Sequence, residues 1–280
     1  MLQIVKLLYA INETLHECER SMSYQSQTIS AIVVTDNNAA TLERALSSLN
    51  WVSELIVYDR GSTDGTLAIA RSFTNKVFFH PSPHLCMVKR DALATAKSDW
   101  LLWIEPHEWV EEMLRHEIDG ILLNSSAQQR AYRVRRALYF QGEWSDPLGE
   151  GSAWSLRMVR QDNWQVNNDW EASLVAIDTQ QTGKLDRVLA EAPYNSVDGL
   201  FQAVNAQSTA AAYAHLVQLG PTEGVDSPIR FLINVKLAGW KIFLLKGNIF
   251  KGVTGQVLAA ASTMVVFLKY VKIRALTRKV

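Results

Sequence analysis

The stretch that most constrains the fold of this chain is ELIVYDRGSTDGTLAIARSF, residues 54–73. Its opening residues, LIVY, are apolar or β-branched and predict a buried strand that ends at Asp59. A turn rich in helix N-cap residues follows, and then a helix with one apolar face. The segment therefore predicts a carboxylate at the end of a strand, with free backbone N–H groups just beyond it. The alternative is an ordinary turn in which Asp59 and Asp64 only cap.

The preceding stretch repeats this pattern. Residues 28–36, TISAIVVTD, predict a second apolar strand, and a helix over residues 40–49 separates it from the strand before Asp59. Strand, helix and strand at this spacing predict a βαβ unit with parallel strands. Because ligands of open α/β sheets bind at the carboxyl ends of the strands, we expect the loops after Thr35 and Asp59 to share a ligand site.

The residues SAIVVT, LERAL, ELIVYD and GSTDGTLAIA closely resemble the start of bacterial family 2 glycosyltransferases, and most of all the branch that adds sugars to the lipopolysaccharide inner core. The resemblance extends from about residue 28 to the C terminus. It implies a GT-A domain, a Rossmann-like α/β fold whose first two strands hold the nucleotide of an NDP-sugar. The residues predicted to bind this nucleotide-sugar are Thr35, Asn37, Asp59, Arg60, Asp64 and Lys89; of these, Arg60 is predicted from its own chemistry, because a guanidinium suits phosphate geometry. Arg60 is expected to pair with the diphosphate, and Lys89 either contacts a phosphate or is a solvated helix residue.

The resemblance also predicts a metal site. In the family, the strand that matches residues 100–104 ends in an Asp-x-Asp motif that holds Mg²⁺ or Mn²⁺ on the sugar diphosphate. A hard cation with oxygen ligands neutralises the charge of the leaving diphosphate. Here Glu105 and His107 stand at those positions, and the imidazole suits Mn²⁺ better than Mg²⁺. The alternative is that Glu105, His107 and Glu108 are surface residues that open a helix over residues 110–118.

A catalytic base is predicted from a later match. The strand over residues 152–160, SAWSLRMVR, resembles the family strand that precedes the acceptor site, and it leads to Asn168-Asp169-Trp170-Glu171. An inverting transferase needs one carboxylate to take the proton of the acceptor hydroxyl. Glu171 aligns with the family's Glu and is the first candidate, with Asp169 second. The alternative is a carboxylate that simply faces water.

The charge distribution points to a membrane partner. The chain has 28 basic and 28 acidic residues, but ten of the basic ones and none of the acidic ones follow Asp226, so the tail carries +10 and the rest −10. Apolar helices with spaced lysines are predicted over residues 229–239, 240–249 and 253–276. The longest uncharged run, residues 253–268, is shorter than the roughly 20 residues of a spanning helix, so the pattern favours attachment at the membrane surface. The alternative is packing on the catalytic domain; nucleic acid is not expected, because no groove-reading or stacking motif is present.

These features predict three regions: an N-terminal extension (1–27), a GT-A glycosyltransferase domain (28–198) and a C-terminal amphipathic helical region (199–280). The extension is a poor signal peptide, and residues 1–21 are either an accessory helix or the result of an early start codon. Two cysteines, Cys18 and Cys86, are too few for a disulfide framework and indicate a reducing compartment. We therefore expect a cytoplasmic protein, peripheral on the inner face of the bacterial plasma membrane.

The function implied is inverting transfer of a sugar from an NDP-sugar donor to a lipopolysaccharide-core or related glycolipid acceptor. The changed residues at the metal position, and Trp170 in the place of the family's His before Glu171, leave an alternative from another class. It is a catalytically inactive, glycosyltransferase-like protein that acts as a membrane-associated binding partner.

Overall fold

The structure is a computed structural model, which describes residues 27–82, 84–124, 128–146, 154–167, 174–194, 196–219, 233, 235–237, 240 and 252–277 of the 280-residue chain. The strands within these residues are β1 (Ile29–Thr35), β2 (Glu54–Asp59), β3 (Val77–Phe79), β4 (Trp100–Trp103), β5 (Glu108–Trp109), β6 (Ala131–Phe140), β7 (Glu143–Asp146), β8 (Ser155–Arg160), β9 (Trp164–Val166), β10 (Leu174–Ala176) and β11 (Thr182–Glu191). The longer helices are α1 (Ala39–Ser47), α2 (Thr66–Phe73), α3 (Leu85–Thr95), α4 (Glu112–Leu123), α5 (Val197–Leu219) and α6 (Gly252–Thr277).

Nine of the strands form one mixed sheet in the order β3-β2-β1-β4-β8-β6-β11-β5, with β7 paired to β6. The β3-β2-β1-β4 half is parallel, and β8 then joins β4 and β6 in antiparallel orientation. The predicted βαβ unit is confirmed, because α1 connects β1 to its parallel neighbour β2. Thr35 lies opposite Asp59 in this register, so the two predicted loops begin at the same edge of the sheet.

The core lies on both faces of β1, whose seven residues are all buried. Ile29, Ala31 and Val33 face one layer, where they pack in a cluster with residues of α1 and α4. Ile32 and Val34 face the other layer, with residues of α3. A strand covered on both sides reads as a continuous apolar run, which is how the sequence reads here. The two layers fix β1 and thereby the loop that follows it.

The predicted helix over residues 110–118 begins later and runs further, at Glu112–Leu123. The residues before it form the short strand β5, which pairs with β11 and contains the fully buried Glu108. The alternative in which Glu108 is a surface residue at a helix start is therefore wrong. Its carboxylate is paired inside the protein, and the adjacent Trp109 and Val110 are buried with it.

The C-terminal helices α5 and α6 pack against each other. Ala212 and Ile273 are buried between them, and the ammonium group of Lys272 lies within 2.6–2.8 Å of four oxygen atoms of Asn205, Ser208 and Thr209 on α5. This lysine is therefore committed to the helix pair. The helix predicted over 253–276 is confirmed with small shifts of its ends, and α5 is a further helix of the C-terminal region.

Helix α6 is longer and more apolar than its uncharged run suggested. It has 26 residues and is, by length and composition, able to cross a membrane, with only 22% of its most apolar window buried in the structure. At 1.5 Å per residue it extends about 39 Å. The prediction that this segment is too short to span is thus corrected. The helices predicted over 229–239 and 240–249 lie mostly outside the described residues. Within these two ranges the structure describes Ile233, residues 235–237 and Trp240, and these are helical.

Candidate nucleotide-sugar site

The loops after β1 and β2 are tied together by side-chain hydrogen bonds. Asn37 has a positive φ of 55°, and its N–H donates to Ser62 Oγ at 2.8 Å. Its Oδ1 accepts from Thr63 N–H at 2.9 Å, and its Nδ2 donates to Asp36 Oδ1 at 3.0 Å. Asparagine tolerates the left-handed conformation that this bend requires. Asn37, which is predicted to bind the nucleotide, therefore also fixes the positions of the two loops relative to each other.

Asp59 ends β2 inside this pair of loops and is 2% exposed. Its Oδ2 accepts hydrogen bonds from the N–H groups of Gly61 and Ser62, both at 3.0 Å. Its Oδ1 has no hydrogen-bond partner among the described residues. A buried carboxylate oxygen without a donor is costly, so the site is suited to an N–H or O–H group brought by a ligand.

Asp64 caps two helices at once. Its Oδ1 accepts from Thr66 N–H at 3.0 Å at the start of α2, and its Oδ2 accepts from Ala39 N–H at 3.2 Å at the start of α1. Hydrogen bonds from Thr66, and then from Ala39, lower the pKa of this carboxyl group. Asp64, which is predicted to bind the nucleotide-sugar, therefore caps helices, which is the alternative that the sequence left open for it.

Thr35 and Arg60 complete the predicted nucleotide loops. Thr35 donates through Oγ1 to Asn38 Oδ1 at 3.0 Å, and its carbonyl accepts from Arg60 N–H at 3.0 Å. The Arg60 guanidinium lies 3.6 Å from Asp36 Oδ2. The structure therefore brings Thr35, Asn37, Asp59, Arg60 and Asp64 together at one edge of the sheet.

A cavity of about 690 Å³ opens beyond the carboxyl end of β4. Its lining carries four side chains that are cationic at neutral pH, one carboxylate and one imidazole; they are Lys89, Arg133, Arg136, Arg157, Glu105 and His107. This volume is within the range of small-molecule sites. Lys89 belongs to this cavity, unlike the other predicted nucleotide residues, which lie in the loops after β1 and β2.

Glu105 and Lys89 form an ion pair in the cavity. The ammonium group lies 3.1 Å from Glu105 Oε1 and 4.5 Å from the centre of the Trp103 ring, whose Nε1–H donates to the same Oε1 at 2.9 Å. Burial alone raises the pKa of the Glu105 carboxyl, but Lys89, Arg157, Trp103 and His107 outweigh it and lower the pKa to about 2. Glu105 is therefore a carboxylate with a cation already beside it. The alternative reading of Lys89 as a solvated helix residue is wrong, because the residue is 6% exposed.

Two further carboxylates lie behind the cavity lining, each with an arginine. Glu108 Oε1 accepts from Arg157 at 2.8 Å, while its Oε2 accepts from the N–H of Glu105 at 2.9 Å. Glu191 Oε2 accepts from Arg136 at 3.0 Å. Burial raises the pKa of Glu191, opposed by Arg136, and Glu108 directly across the β5–β11 pair raises it further. Burial lowers the pKa of Arg157, but Glu108 and Glu105 reverse this and raise it.

The predicted metal ligands Glu105 and His107 both line this cavity. Within the described part of the chain there is no group of three or more His, Cys, Asp or Glu side chains arranged to hold a metal ion. A divalent ion at Glu105 and His107 stays a prediction.

The predicted bases Asp169 and Glu171 lie outside the described residues, in the stretch that connects β9 to β10. The first three described residues after this stretch, Leu174, Val175 and Ala176, line the cavity. The roles of the two carboxylates stay predictions.

Comparison with known proteins supports the sequence reading. Residues 30–120 match the family model described as Glycosyl transferase family 2. The resemblance to this family is confirmed for that part of the chain. The match contains both nucleotide loops, Lys89, Glu105 and His107.

The chain is similar to an uncharacterized glycosyltransferase of Rickettsia bellii, at 37% identity over 109 residues, which are 38% of this chain and 37% of the relative. It is also similar to the lipopolysaccharide core biosynthesis glycosyltransferase LpsC of Rhizobium meliloti, at 28% identity over 137 residues, or 47% of this chain and 50% of that protein. The chain thus spans half or less of the length of these two relatives.

Among solved structures, the fold is similar to that of the mannosyltransferase PcManGT from Pyrobaculum calidifontis in complex with GDP-Man and Mn²⁺. The TM-score is 0.50 at 14% identity, and the likeness covers 89% of this chain and 86% of that one. At this identity the likeness shows the fold alone, which is the predicted GT-A architecture.

Sequence reasoning missed the arginines of this GT-A cavity. Arg157 lies in the strand predicted over residues 152–160, but no cavity role was predicted for it or for Arg133 and Arg136. Arg157 and Glu108 are 49 positions apart, and Arg136 and Glu191 are 55 apart. The signal that was available is the occurrence of three arginines, Arg133, Arg135 and Arg136, within the otherwise largely apolar strand β6.

We expect the Glu108–Arg157 pair to be a main support of the cavity wall. Glu108→Ala leaves a guanidinium that is 12% exposed without its counter-charge, which should lower the free energy of unfolding by about 3–5 kcal/mol. Urea denaturation followed by circular dichroism measures this. The control Glu112→Ala removes a carboxylate that is 85% exposed and should change stability by less than about 0.5 kcal/mol. Equal effects of the two substitutions would contradict the assignment.

Proposed function

We propose that this protein is a family 2 glycosyltransferase that transfers a sugar from an NDP-sugar to a glycolipid of the lipopolysaccharide-core type, with inversion. The observation that carries the proposal is the family match over residues 30–120, which includes the loops that meet at the carboxyl edge of the parallel strands. Ligands of open α/β sheets bind at this edge. The name of the Rhizobium meliloti relative supports the acceptor class.

The nucleotide is proposed to bind at the loops after β1 and β2. Asp59 Oδ1, the buried oxygen without a donor, is suited to accept a hydrogen bond from the nucleobase. The GDP-Man in the mannosyltransferase with the similar fold supports a nucleotide-sugar donor. Asn37 and Asp64 then act by holding the two loops in their observed relation.

The transfer itself is proposed to be a single displacement. The oxygen of the acceptor hydroxyl forms a bond to the anomeric carbon while the bond from that carbon to the phosphate oxygen breaks. The proton of the hydroxyl passes to Glu171, with Asp169 as the second candidate, and the nucleoside diphosphate leaves with the electron pair. The configuration at the anomeric carbon is inverted. This step does not depend on whether a divalent ion at Glu105 and His107 or the protein's own side chains neutralise the leaving group.

Membrane attachment is proposed to occur through α6 and the preceding basic residues. Helix α6 exposes an apolar stripe at helical spacing, formed by Val253, Val257, Met264, Phe267 and Val271. Ile233, Leu237 and Trp240 are likewise exposed at helical spacing. An apolar helix face with nearby lysines and arginines suits a surface of anionic lipid. This supports a cytoplasmic protein held at the inner face of the plasma membrane, where a glycolipid acceptor is available.

The alternative, an inactive binding protein, differs in one measurable respect. It allows a nucleotide or glycolipid to bind, but it predicts no transfer. The replacement of Asp-x-Asp by Glu105 and His107, with Glu105 already paired to Lys89, is the observation that favours it.

The first prediction concerns the nucleotide. Asp59→Asn should weaken the binding of the matching nucleoside diphosphate by about tenfold or more, since one hydrogen bond to a charged group contributes about 1.5–3 kcal/mol. Calorimetric titration with UDP, GDP and ADP measures this. The control Glu43→Gln changes an exposed carboxylate on α1 and should leave the affinity unchanged. If none of the three nucleotides binds the unaltered protein under any condition, the transferase proposal fails.

The second prediction concerns the base. Glu171→Gln should reduce the rate of transfer by about 10²–10⁴-fold while nucleotide binding is retained, because only proton removal is lost. The assay incubates the protein with UDP-, GDP- and ADP-hexoses and purified lipopolysaccharide cores of successive lengths. Mass spectrometry detects an acceptor heavier by one hexose, and NMR gives the anomeric configuration.

The matched control for the base is Asp186→Asn, which changes an exposed carboxylate on β11. It should transfer at the unaltered rate. Full activity of both Glu171→Gln and Asp169→Asn would remove these residues from the mechanism. Nucleotide binding without any transfer across the panel would favour the inactive binding protein.

The third prediction concerns the membrane. The triple substitution Val257→Ser, Met264→Ser, Val271→Ser should weaken binding to vesicles of phosphatidylethanolamine and phosphatidylglycerol at least about tenfold, because it removes apolar area from the exposed stripe. Vesicle flotation measures the bound fraction. Met113→Ser, Leu123→Ser on α4 removes apolar side chains of similar exposure, 55% and 52%, and should have no effect. Equal binding by both variants would place the membrane contact elsewhere.

A further inference from the structure

The carboxylate at the position of the predicted metal already has a cation of the protein beside it. Glu105 Oε1 already accepts from the Lys89 ammonium at 3.1 Å and from Trp103 Nε1–H at 2.9 Å. A carboxylate oxygen has about two lone-pair directions, so both are used. A divalent ion bound to that oxygen at about 2.1 Å would lie within roughly 5 Å of the ammonium, and the like charges would repel.

The other carboxylates near this position are also committed. Glu108 is fully buried and divides its two oxygens between Arg157 and the backbone N–H of Glu105. Glu191 is paired with Arg136. A metal ion would have to take one of these carboxylates from its arginine and leave a buried cation without a partner, which is costly. The described residues therefore do not fit a divalent ion at Glu105 and His107.

The same side chains fit a diphosphate directly. Lys89, Arg136 and Arg157 all line the cavity, whereas Glu108 and Glu191 do not. The carboxylates thus hold the cations from behind, and the cations face the space that a ligand would enter. Ammonium and guanidinium groups are both suited to phosphate oxygens, and guanidinium binds them with two N–H groups at once.

We propose that this site binds and stabilises the donor diphosphate without a divalent ion, with the Lys89 ammonium in the place of the metal and with Arg157 and Arg136 beside it. The inference rests on the proposed function, because it assumes a nucleoside diphosphate-sugar as ligand. Glu105 is then a positioning residue that holds Lys89. As the bond from the anomeric carbon to the phosphate oxygen breaks, these cations neutralise the charge that develops on the leaving diphosphate.

The test titrates the full chain with UDP, GDP and ADP, each in EDTA, in Mn²⁺ and in Mg²⁺. The expected result is an affinity that differs by less than about threefold among the three conditions, which is below about 0.7 kcal/mol. Lys89→Met should weaken nucleoside diphosphate binding at least about tenfold, and it should weaken nucleoside monophosphate binding less. Lys89→Arg keeps the charge and should retain most of the affinity.

Two further variants guard against a folding defect. The double substitution Lys89→Met, Glu105→Gln removes both members of the pair, so that no unpaired charge is left, and it should bind as weakly as Lys89→Met. Lys76→Met is the matched control, because Lys76 also pairs with a glutamate, Glu54, but at the opposite end of β2. It should bind like the unaltered protein. Circular dichroism establishes that each variant is folded.

The outcomes separate this inference from the proposed function. Binding that requires Mn²⁺ or Mg²⁺ and is lost in EDTA overturns the inference and supports the transferase with its predicted metal. Binding that persists in EDTA but is unchanged in both Lys89→Met and the double variant also overturns it. Absence of nucleotide binding in all three conditions overturns both proposals together.

Discussion

The burial of β1 on both faces is the constraint on which the site depends. Because α1 and α4 cover one face and α3 the other, the strand has one position and one register. Its parallel pairing with β2 and β4 then brings the ends of three strands to one edge of the sheet. Thr35 and Asp59 are the last residues of β1 and β2, and Glu105 lies just beyond the end of β4. These polar residues are not part of the two apolar clusters, and the core fixes their spacing.

Beyond this edge the arrangement is governed by charge pairing. Three carboxylates, Glu105, Glu108 and Glu191, each have one cationic partner within about 3 Å. An isolated buried charge costs far more than a paired one, so the partners constrain one another. Two of the pairs join elements that are not neighbours in the sheet, since Arg157 lies on β8 and Glu108 on β5, and Lys89 lies on α3 while Glu105 follows β4. Electrostatics thus connects elements that the apolar core connects only partly.

The sequence predicts the parts of this architecture that are local. The β1–α1–β2 unit and α6 follow from periodicity, and the family resemblance adds the loops after β1 and β2. The ion pairs could not be predicted in this way, because Lys89 is 16 positions from Glu105 and Arg157 is 49 from Glu108. Glu108 shows the consequence: one of the two alternatives made it a surface residue at a helix start, whereas a strand pairing and an arginine bury it. The roles of Asp169 and Glu171 stay predictions.

The replacement of Asp-x-Asp by Glu105 and His107 has a coherent physical meaning if it is considered together with Lys89. A glutamate is one methylene longer than an aspartate, and here its carboxylate contacts an ammonium on α3 and an indole N–H on β4. A metal site offers positive charge to a diphosphate only while the ion is bound, whereas the ammonium group of a lysine is in place before any ligand binds. Such preorganised charge needs no rearrangement when negative charge develops on a leaving group. A changed carboxylate motif is therefore compatible with catalysis when a cation of the protein lies beside it.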